Sequence, residues 1–268
     1  MGPRIGSQQQ WLEARTALLE KEKQLTRLRD EVARERRALP WVRVEKRYLF
    51  DGPHGPVTLD ELFAGRSQLF VKHYMLAPGQ VAHCVGCALE VDHLEGILVH
   101  LENHDLSYAA VARAPIAEIE TLRQRMGWRL PFVSSCHNDF NYDFHVSFRP
   151  ADIAAGRAYY NYQYMNTGIE DLSGDSVFVK NEAGEIFHTY STFGRGGEEF
   201  LLVYRFIDAT PKGRMEDLNR SLTDWARPHD MYGQGGTVEP AGRFHASGCG
   251  CAVHGRTAPA PARDIIGG

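Results

Sequence analysis

Two cysteines separated by two residues form the pattern in this sequence that is best suited to chemistry. The CxxC motif Cys84-Val85-Gly86-Cys87 follows a segment expected to be a buried strand and opens a segment expected to be a helix. Unpaired backbone N–H groups and the helix dipole at such a position stabilise a thiolate. Cys84 would be the nucleophile at an exposed helix start, and Cys87, one turn later, would resolve a mixed disulfide.

Other uses of these cysteines also fit the sequence. Both could be inert core residues, or they could form half of a structural zinc site, which normally needs a second pair of ligands. The other close pair, Cys249 and Cys251, has a different spacing and lies in a glycine-rich tail, while Cys136 stands alone. The pattern therefore favours thiol chemistry that requires no cofactor.

The 12 histidines of the chain raise a second hypothesis. His83 stands beside Cys84 and Cys87, and His145 and His188 lie on segments expected to border the same sheet edge. Mixed imidazole and thiolate ligands suit copper or zinc. The alternative function is a copper-binding oxidase or metal carrier that uses these histidines with one or both cysteines. His83 could instead activate Cys84 as a neighbouring imidazolium.

Composition restricts the class of protein that carries these residues. The 268 residues are 43% hydrophobic and 24% charged, which is typical of a soluble globular protein. With 30 Lys and Arg against 34 Asp and Glu, the net charge of −4 provides no general attraction for nucleic acid or an anionic membrane. No apolar run is long enough for a membrane span or a signal peptide. We therefore expect a cytoplasmic protein without nucleic-acid or membrane partners.

The elements that must position the cysteines alternate along the chain. Apolar runs bounded by turn residues predict strands at 68–75, 106–112 and 132–134. Helical patterns lie between these strands, from the CxxC to about residue 102 and over 115–126. A hairpin (176–180 with 186–191) and a closing helix (198–206) follow. Alternating strands and helices predict an α/β domain with a partly parallel central sheet.

The two ends of the chain differ from this domain. Residues 1–10 form a polar leader that we expect to be disordered, and residues 11–40 predict a helix that ends at a proline. The apolar stripe of this helix would pack on its own domain or on a second copy in a homodimer; its heptad positions are Leu18, Leu25, Val32 and Leu39. Residues 233–268 are rich in Gly, Ala and Pro and predict a flexible tail.

Short runs along the chain form a recognisable set. They include Pro40-Trp41-Val42-Arg43, Phe50-Asp51-Gly52-Pro53, Arg113-Ala114-Pro115, Asp139-Phe140-Asn141-Tyr142 and His188-Thr189-Tyr190-Ser191. Over about residues 11–232 the chain resembles the DUF899 family, which is thioredoxin-like and of undefined function. The resemblance implies a thioredoxin-like domain over 41–232: a central mixed sheet flanked by helices, with the CxxC at the start of the first core helix. His145 and His188 also fall in its motifs.

Two departures from thioredoxins accompany this resemblance. Thioredoxins carry a cis-proline that faces the CxxC, whereas the matching stretch here, Ser173 to Val177, has no proline. His83 and Ala88, which flank the motif, also differ from the residues common in that family. From the CxxC and the resemblance together, we expect a thiol–disulfide or peroxide oxidoreductase that acts on a small-molecule or protein substrate.

Overall fold

The computed structural model describes residues 4–216 and 225–247. The chain divides into two units, Met1–Trp41 and Val42–Gly268. The first unit contains the helix α1 (Gln8–Arg37), which begins earlier than predicted because Ser7 and Gln10 form a capping box. The apolar stripe of α1 is exposed, with Leu18 and Leu25 at 50% and 46%. A homodimer through this stripe stays a prediction.

The second unit alternates strands and helices, as predicted. Its strands before the first crossover are β1 (Val42–Arg43), β2 (Leu49–Gly52), β3 (Gly55–Thr58), β4 (Gln68–His73) and β5 (His83–Cys84). Its later strands are β6 (Leu106–Ala112), β7 (Phe132–Ser134), β8 (Ala158–Tyr160), β9 (Gln163–Met165), β10 (Gly174–Lys180), β11 (Ile186–Phe193), β12 (Gly236–Val238) and β13 (Arg243–Ala246). Its α-helices are α2 (Val85–Leu94), α3 (Leu98–Asn103), α4 (Ile116–Met126), α5 (Phe140–Asp143), α6 (Pro150–Ala154) and α7 (Leu202–Asp208).

Eight strands form one mixed sheet in the order β1-β11-β10-β4-β6-β7-β2-β3. The neighbours β4, β6 and β7 are parallel, whereas β10 is antiparallel to β4 and β11 is antiparallel to β10. The chain reaches β6 from β4 through α2, leaves β6 through α4, and later adds β10, β11 and α7. The strand order β11-β10-β4-β6 with these crossover helices is thioredoxin-like, which confirms the predicted fold.

Alternating side chains give this sheet two different faces. One face packs against α2 and α4, and its apolar cluster includes Tyr74, Ala110 and Phe132 together with both CxxC cysteines. The other face packs against a cluster that includes Leu69, Val71, Phe140 and Phe178. Neighbouring residues of β4 therefore face different environments, which decides the role of each polar side chain on that strand.

The boundaries of several elements differ from the sequence-based prediction. The helical stretch after the CxxC is divided into α2 and α3, and the closing helix is a 3-10 segment (Gly194–Phe200) followed by α7. None of the described helices is long and apolar enough to cross a membrane.

Part of the predicted C-terminal tail has regular structure. Residues 236–246, expected to be flexible, form the strands β12 and β13, which complete a three-stranded sheet in the order β12-β13-β5. Glycine allows this hairpin, because a Cβ at Gly236 would lie 2.4 Å from the carbonyl oxygen of His245. Residues 248–268 of the predicted tail, including Cys249 and Cys251, lie outside the described residues.

Candidate active site

The CxxC motif occupies the junction of β5 and α2. Cys84 is the N-cap of α2, and its sulfur accepts a hydrogen bond of 3.2 Å from the backbone N–H of Cys87. Both thiols are free. The predicted helix start is confirmed, but the expected exposure is wrong: the exposed fractions of Cys84 and Cys87 are only 5% and 1%.

The two thiols have opposite pKa shifts. The pKa of Cys84 is lowered, first because the Cys87 side chain donates a hydrogen bond to its sulfur; burial opposes this effect, and backbone N–H groups and the Lys72 ammonium assist it. Burial, followed by the interaction with Cys84, raises the pKa of Cys87 well above its ordinary value. Cys84 is therefore the thiol that forms a thiolate first, and Cys87 keeps its proton.

A buried group of three charged side chains lies on the same face of the sheet. Lys72 on β4 makes ion pairs with Glu90 on α2 and with Asp175 on β10, the latter at 3.2 Å. All three residues are at most 3% exposed. Burial opposes the charge of Lys72, but its two carboxylate partners outweigh that effect and keep its pKa raised. Its ammonium also interacts electrostatically with both thiols.

The two oxygens of the Asp175 carboxyl group differ in their hydrogen bonding. One oxygen accepts from Lys72, whereas the other is buried without a hydrogen-bond partner among the described residues. Burial, followed by repulsion from Glu90, raises the pKa of Asp175 well above that of an ordinary carboxyl. Lys72 is thus the common counterion of Glu90 and Asp175, on the same face of the sheet as the cysteines.

Sequence reasoning missed this charged group, although a signal was present. Lys72, followed by His73, interrupts the apolar run Leu69 to Met75. Glu90 lies three residues after Cys87, on the face of α2 that a buried thiol must share. A lysine in a core strand and a glutamate one turn after a buried cysteine each require a partner. Only the tertiary fold shows that they share one, together with Asp175.

The histidines proposed as metal ligands do not converge on the cysteines. His188 packs against Phe144 and Phe178, on the face of the sheet opposite the CxxC, and the ring of His145 stacks edge-on against Tyr159 at 4.8 Å. The described residues contain no group of three His, Cys, Asp or Glu side chains arranged to hold a metal. The five ligands expected for copper or zinc therefore do not fit one ion here.

His83 also differs from its expected role beside Cys84. Burial, followed by the nearby Arg125, lowers its pKa to about 4, so its imidazole is neutral at neutral pH. Its Nδ1 atom is buried and has no hydrogen-bond partner within the described parts of the chain. An imidazolium at this position is therefore not the source of thiolate stabilisation. The hydrogen bond from the Cys87 side chain is the first cause of the lowered pKa of Cys84, and Lys72 is the cation that adds to it.

A chain of hydrogen bonds crosses three strands on the opposite face. His73 Nε2 lies 2.8 Å from Ser176 Oγ, which lies 2.8 Å from Ser191 Oγ, which in turn lies 2.7 Å from His188 Nε2. Burial, followed by the positive charges of Lys72 and His188, lowers the pKa of His73 to about 3. The His73 side chain is fully enclosed, so His73 supports the fold and does not contact a substrate.

The low pKa of His73 predicts a loss of stability in acid. The unfolded pKa is about 6.5, so between pH 6.5 and the folded value of about 3 the unfolded state binds more protons and stability rises with pH. We expect the free energy of unfolding to fall by a few kcal/mol from pH 7 to pH 4, measured by urea unfolding. H73Q should flatten this dependence, whereas H104Q, at an exposed position, should not. Equal slopes in H73Q and the unmodified protein would contradict the assignment.

Two clefts differ in their relation to the cysteines. The larger, about 490 Å³, lies between residues 43–48, 58–60 and 183–186, and includes neither cysteine. The smaller, about 260 Å³, is lined by Met75, Gln80 and Arg243 among others. Met75 donates a backbone hydrogen bond to the Cys87 sulfur, and Arg243 is paired with Cys84 in the β13–β5 ladder. The smaller cleft is therefore the one beside the thiols.

Comparison with solved structures gives distant neighbours. They include peroxidoxin BcpB from Mycobacterium tuberculosis (13% identity, TM-score 0.41, covering 63% of this chain and 96% of that one). A mutant of Xanthomonas campestris peroxiredoxin Q (13%, 0.40, 59% and 90%) and the mitochondrial 2-Cys peroxiredoxin of Plasmodium falciparum (12%, 0.39, 62% and 93%) are also similar.

Comparison of sequences gives a match over most of the chain. None of the curated proteins compared with it is a match. The model of a family described as a bacterial protein of unknown function, DUF899, matches residues 1–232. That match covers most of the chain and includes the CxxC, the charged group beneath it and the strands that carry both. The chain therefore belongs to the DUF899 family.

Proposed function

We propose that this protein is a thiol oxidoreductase that reduces a peroxide or a disulfide, with Cys84 as nucleophile and Cys87 as resolving thiol. The observation that carries the proposal is the asymmetry of the pair: at the start of α2 the pKa of Cys84 is lowered while that of Cys87 is raised. A low-pKa thiolate beside a protonated thiol is the arrangement that thiol–disulfide exchange requires.

With a peroxide, the Cys84 thiolate would attack one oxygen and break the O–O bond. The sulfur is oxidised to a sulfenic acid, and the other oxygen leaves as water or an alcohol after taking up a proton. The thiol of Cys87 then attacks the Cys84 sulfur, forming a disulfide and releasing water. An external dithiol must reduce that disulfide before the next turnover.

With a disulfide, the same two thiols would act in the same order. The Cys84 thiolate attacks one sulfur, forming a mixed disulfide and releasing the other half of the substrate as a thiolate. Cys87 then displaces the bound half and closes the Cys84–Cys87 disulfide. The substrate gains two electrons, and the protein loses two. The Lys72 ammonium favours the anionic sulfur at the start of either sequence.

Alkylation kinetics test the nucleophile assignment. We expect iodoacetamide to modify Cys84 with a pH midpoint below the value of about 8.5 for an ordinary cysteine, because the interactions above stabilise its thiolate. Cys87 should react much more slowly near neutral pH. Peptide mass spectrometry of samples quenched over a pH series measures both rates, with a cysteine-containing peptide as reference. A midpoint at or above the reference, or equal rates for both cysteines, would remove the assignment.

A further inference from the structure

The buried position of Cys84 has an identifiable cause at the other end of the chain. β13 pairs antiparallel with β5, so that Arg243 stands opposite Cys84 and Phe244 opposite His83. The carbonyl of Gly242 also accepts a hydrogen bond of 2.9 Å from the N–H of Val85, the first residue of α2. The hairpin therefore binds the backbone on both sides of the proposed nucleophile.

Two apolar side chains fasten this hairpin to the helix that carries Cys84. Val238 and Phe244 are 6% and 4% exposed, and they share one apolar cluster with Val85 and Leu89 of α2 and with Tyr204 of α7. Because the cluster includes the first turn of α2, release of the hairpin would uncover the residues next to Cys84.

The rest of the hairpin contributes little to this attachment. His245 is exposed, and among the described residues its side chain forms an ion pair of 3.1 Å with Glu239 inside the hairpin itself. Only two residues of β13 pair with β5. The hairpin also lies beyond residues 1–232, the part of the chain that matches the family. A short ladder and two apolar anchors are typical of a segment that opens locally while the domain stays folded.

We propose that residues 236–246 form a strap that closes the thiol site, and that a reagent or substrate reaches Cys84 only when the strap has detached from β5 and α2. This inference rests on the proposed function, because it concerns regulation of the same thiol. In this arrangement the strap limits the rate of reaction at Cys84, whereas the hydrogen bonds to its sulfur and the nearby Lys72 ammonium lower its pKa.

Iodoacetamide alkylation of the reduced full-length protein separates these two quantities. The pH midpoint of the alkylation rate at Cys84 reports the pKa of this thiol. The plateau of that rate at high pH reports how accessible the thiol is to iodoacetamide. F244A removes one apolar anchor, and G236V places a side chain where a Cβ would already lie 2.4 Å from the His245 carbonyl oxygen. H245A is the matched control on the same strand, since it removes no buried contact.

We expect both strap variants to raise the plateau at Cys84 by about tenfold or more, because loss of a buried ring or a steric clash favours the detached state. H245A should keep the plateau of the unmodified protein. An unchanged plateau in both F244A and G236V would overturn the strap. An equal rise at Cys87 would do so as well, since α2 as a whole would then be opening. A raised plateau with the midpoint of an ordinary thiol would support the strap and refute the proposed function.

Discussion

K72M is expected to lower the free energy of unfolding by about 3 to 5 kcal/mol, because it leaves Glu90 and Asp175 buried without their common cation. The cost is large because neither carboxylate has access to solvent. Urea unfolding at pH 7 measures the change. A loss below about 1 kcal/mol would show that the three groups do not form the buried ion pairs described above.

A second lysine in this protein provides a matched control. Lys46 also contacts two carboxylates, Asp139 at 3.0 Å and Asp143 at 2.7 Å, but its side chain is 46% exposed. K46M should therefore cost less than about 1 kcal/mol, because water replaces the lost partner. The triple variant K72M/E90Q/D175N should recover part of the stability lost in K72M, because it also removes the uncompensated charges.

C84S is expected to lower the rate of peroxide or disulfide reduction by on the order of 10³ or more, because a hydroxyl at this position does not form the anionic nucleophile. Consumption of hydrogen peroxide or of a protein disulfide, with dithiothreitol as reductant and the rate without the protein subtracted, measures the rate. If C84S and the unmodified protein turn over equally fast with both oxidants, Cys84 is not the nucleophile.

C87S and C136S complete the series. C87S should still react once with peroxide, leaving a sulfenic acid on Cys84 that dimedone labels, because the resolving thiol is missing. C136S should retain the full rate, since Cys136 lies on the segment after β7 and has no part in the proposed sequence. A normal catalytic rate in C87S with no labelled intermediate would show that another thiol resolves Cys84.

Much of the central domain could be predicted from local sequence. The strands Leu106–Ala112 and Phe132–Ser134 have the predicted bounds, because each is an apolar run with turn residues on both sides. The N-cap position of Cys84 was likewise predicted, since a buried strand leads into a helix at the CxxC. The elements that place Cys84, the proposed nucleophile, are thus encoded over short stretches of chain.

The surroundings of the nucleophile depend on contacts that no local pattern contains. Lys72 and Asp175 are 103 residues apart in sequence, and their ion pair forms only when β10 joins β4. β13 was missed because its composition resembles a flexible tail and its partner is the two-residue strand β5. The sequence pattern groups His188 with the cysteines, whereas strand alternation places it on the other face of the sheet, with His73.

The pairing of Asp175 with Lys72 also affects which alignment of β10 and β4 can persist during folding. In the native alignment Asp175 stands opposite Lys72 and Ser176 opposite Val71. A shift of β10 by one residue would turn every side chain of the strand to the other face. Asp175 would then enter the apolar cluster around Val71 and Phe140, Phe178 would leave that cluster, and Lys72 would lose a counterion. Misaligned sheets thus carry the cost of burying unpaired charges on both strands, so the ionic group that faces the thiols also discriminates against the wrong pairing of the central strands.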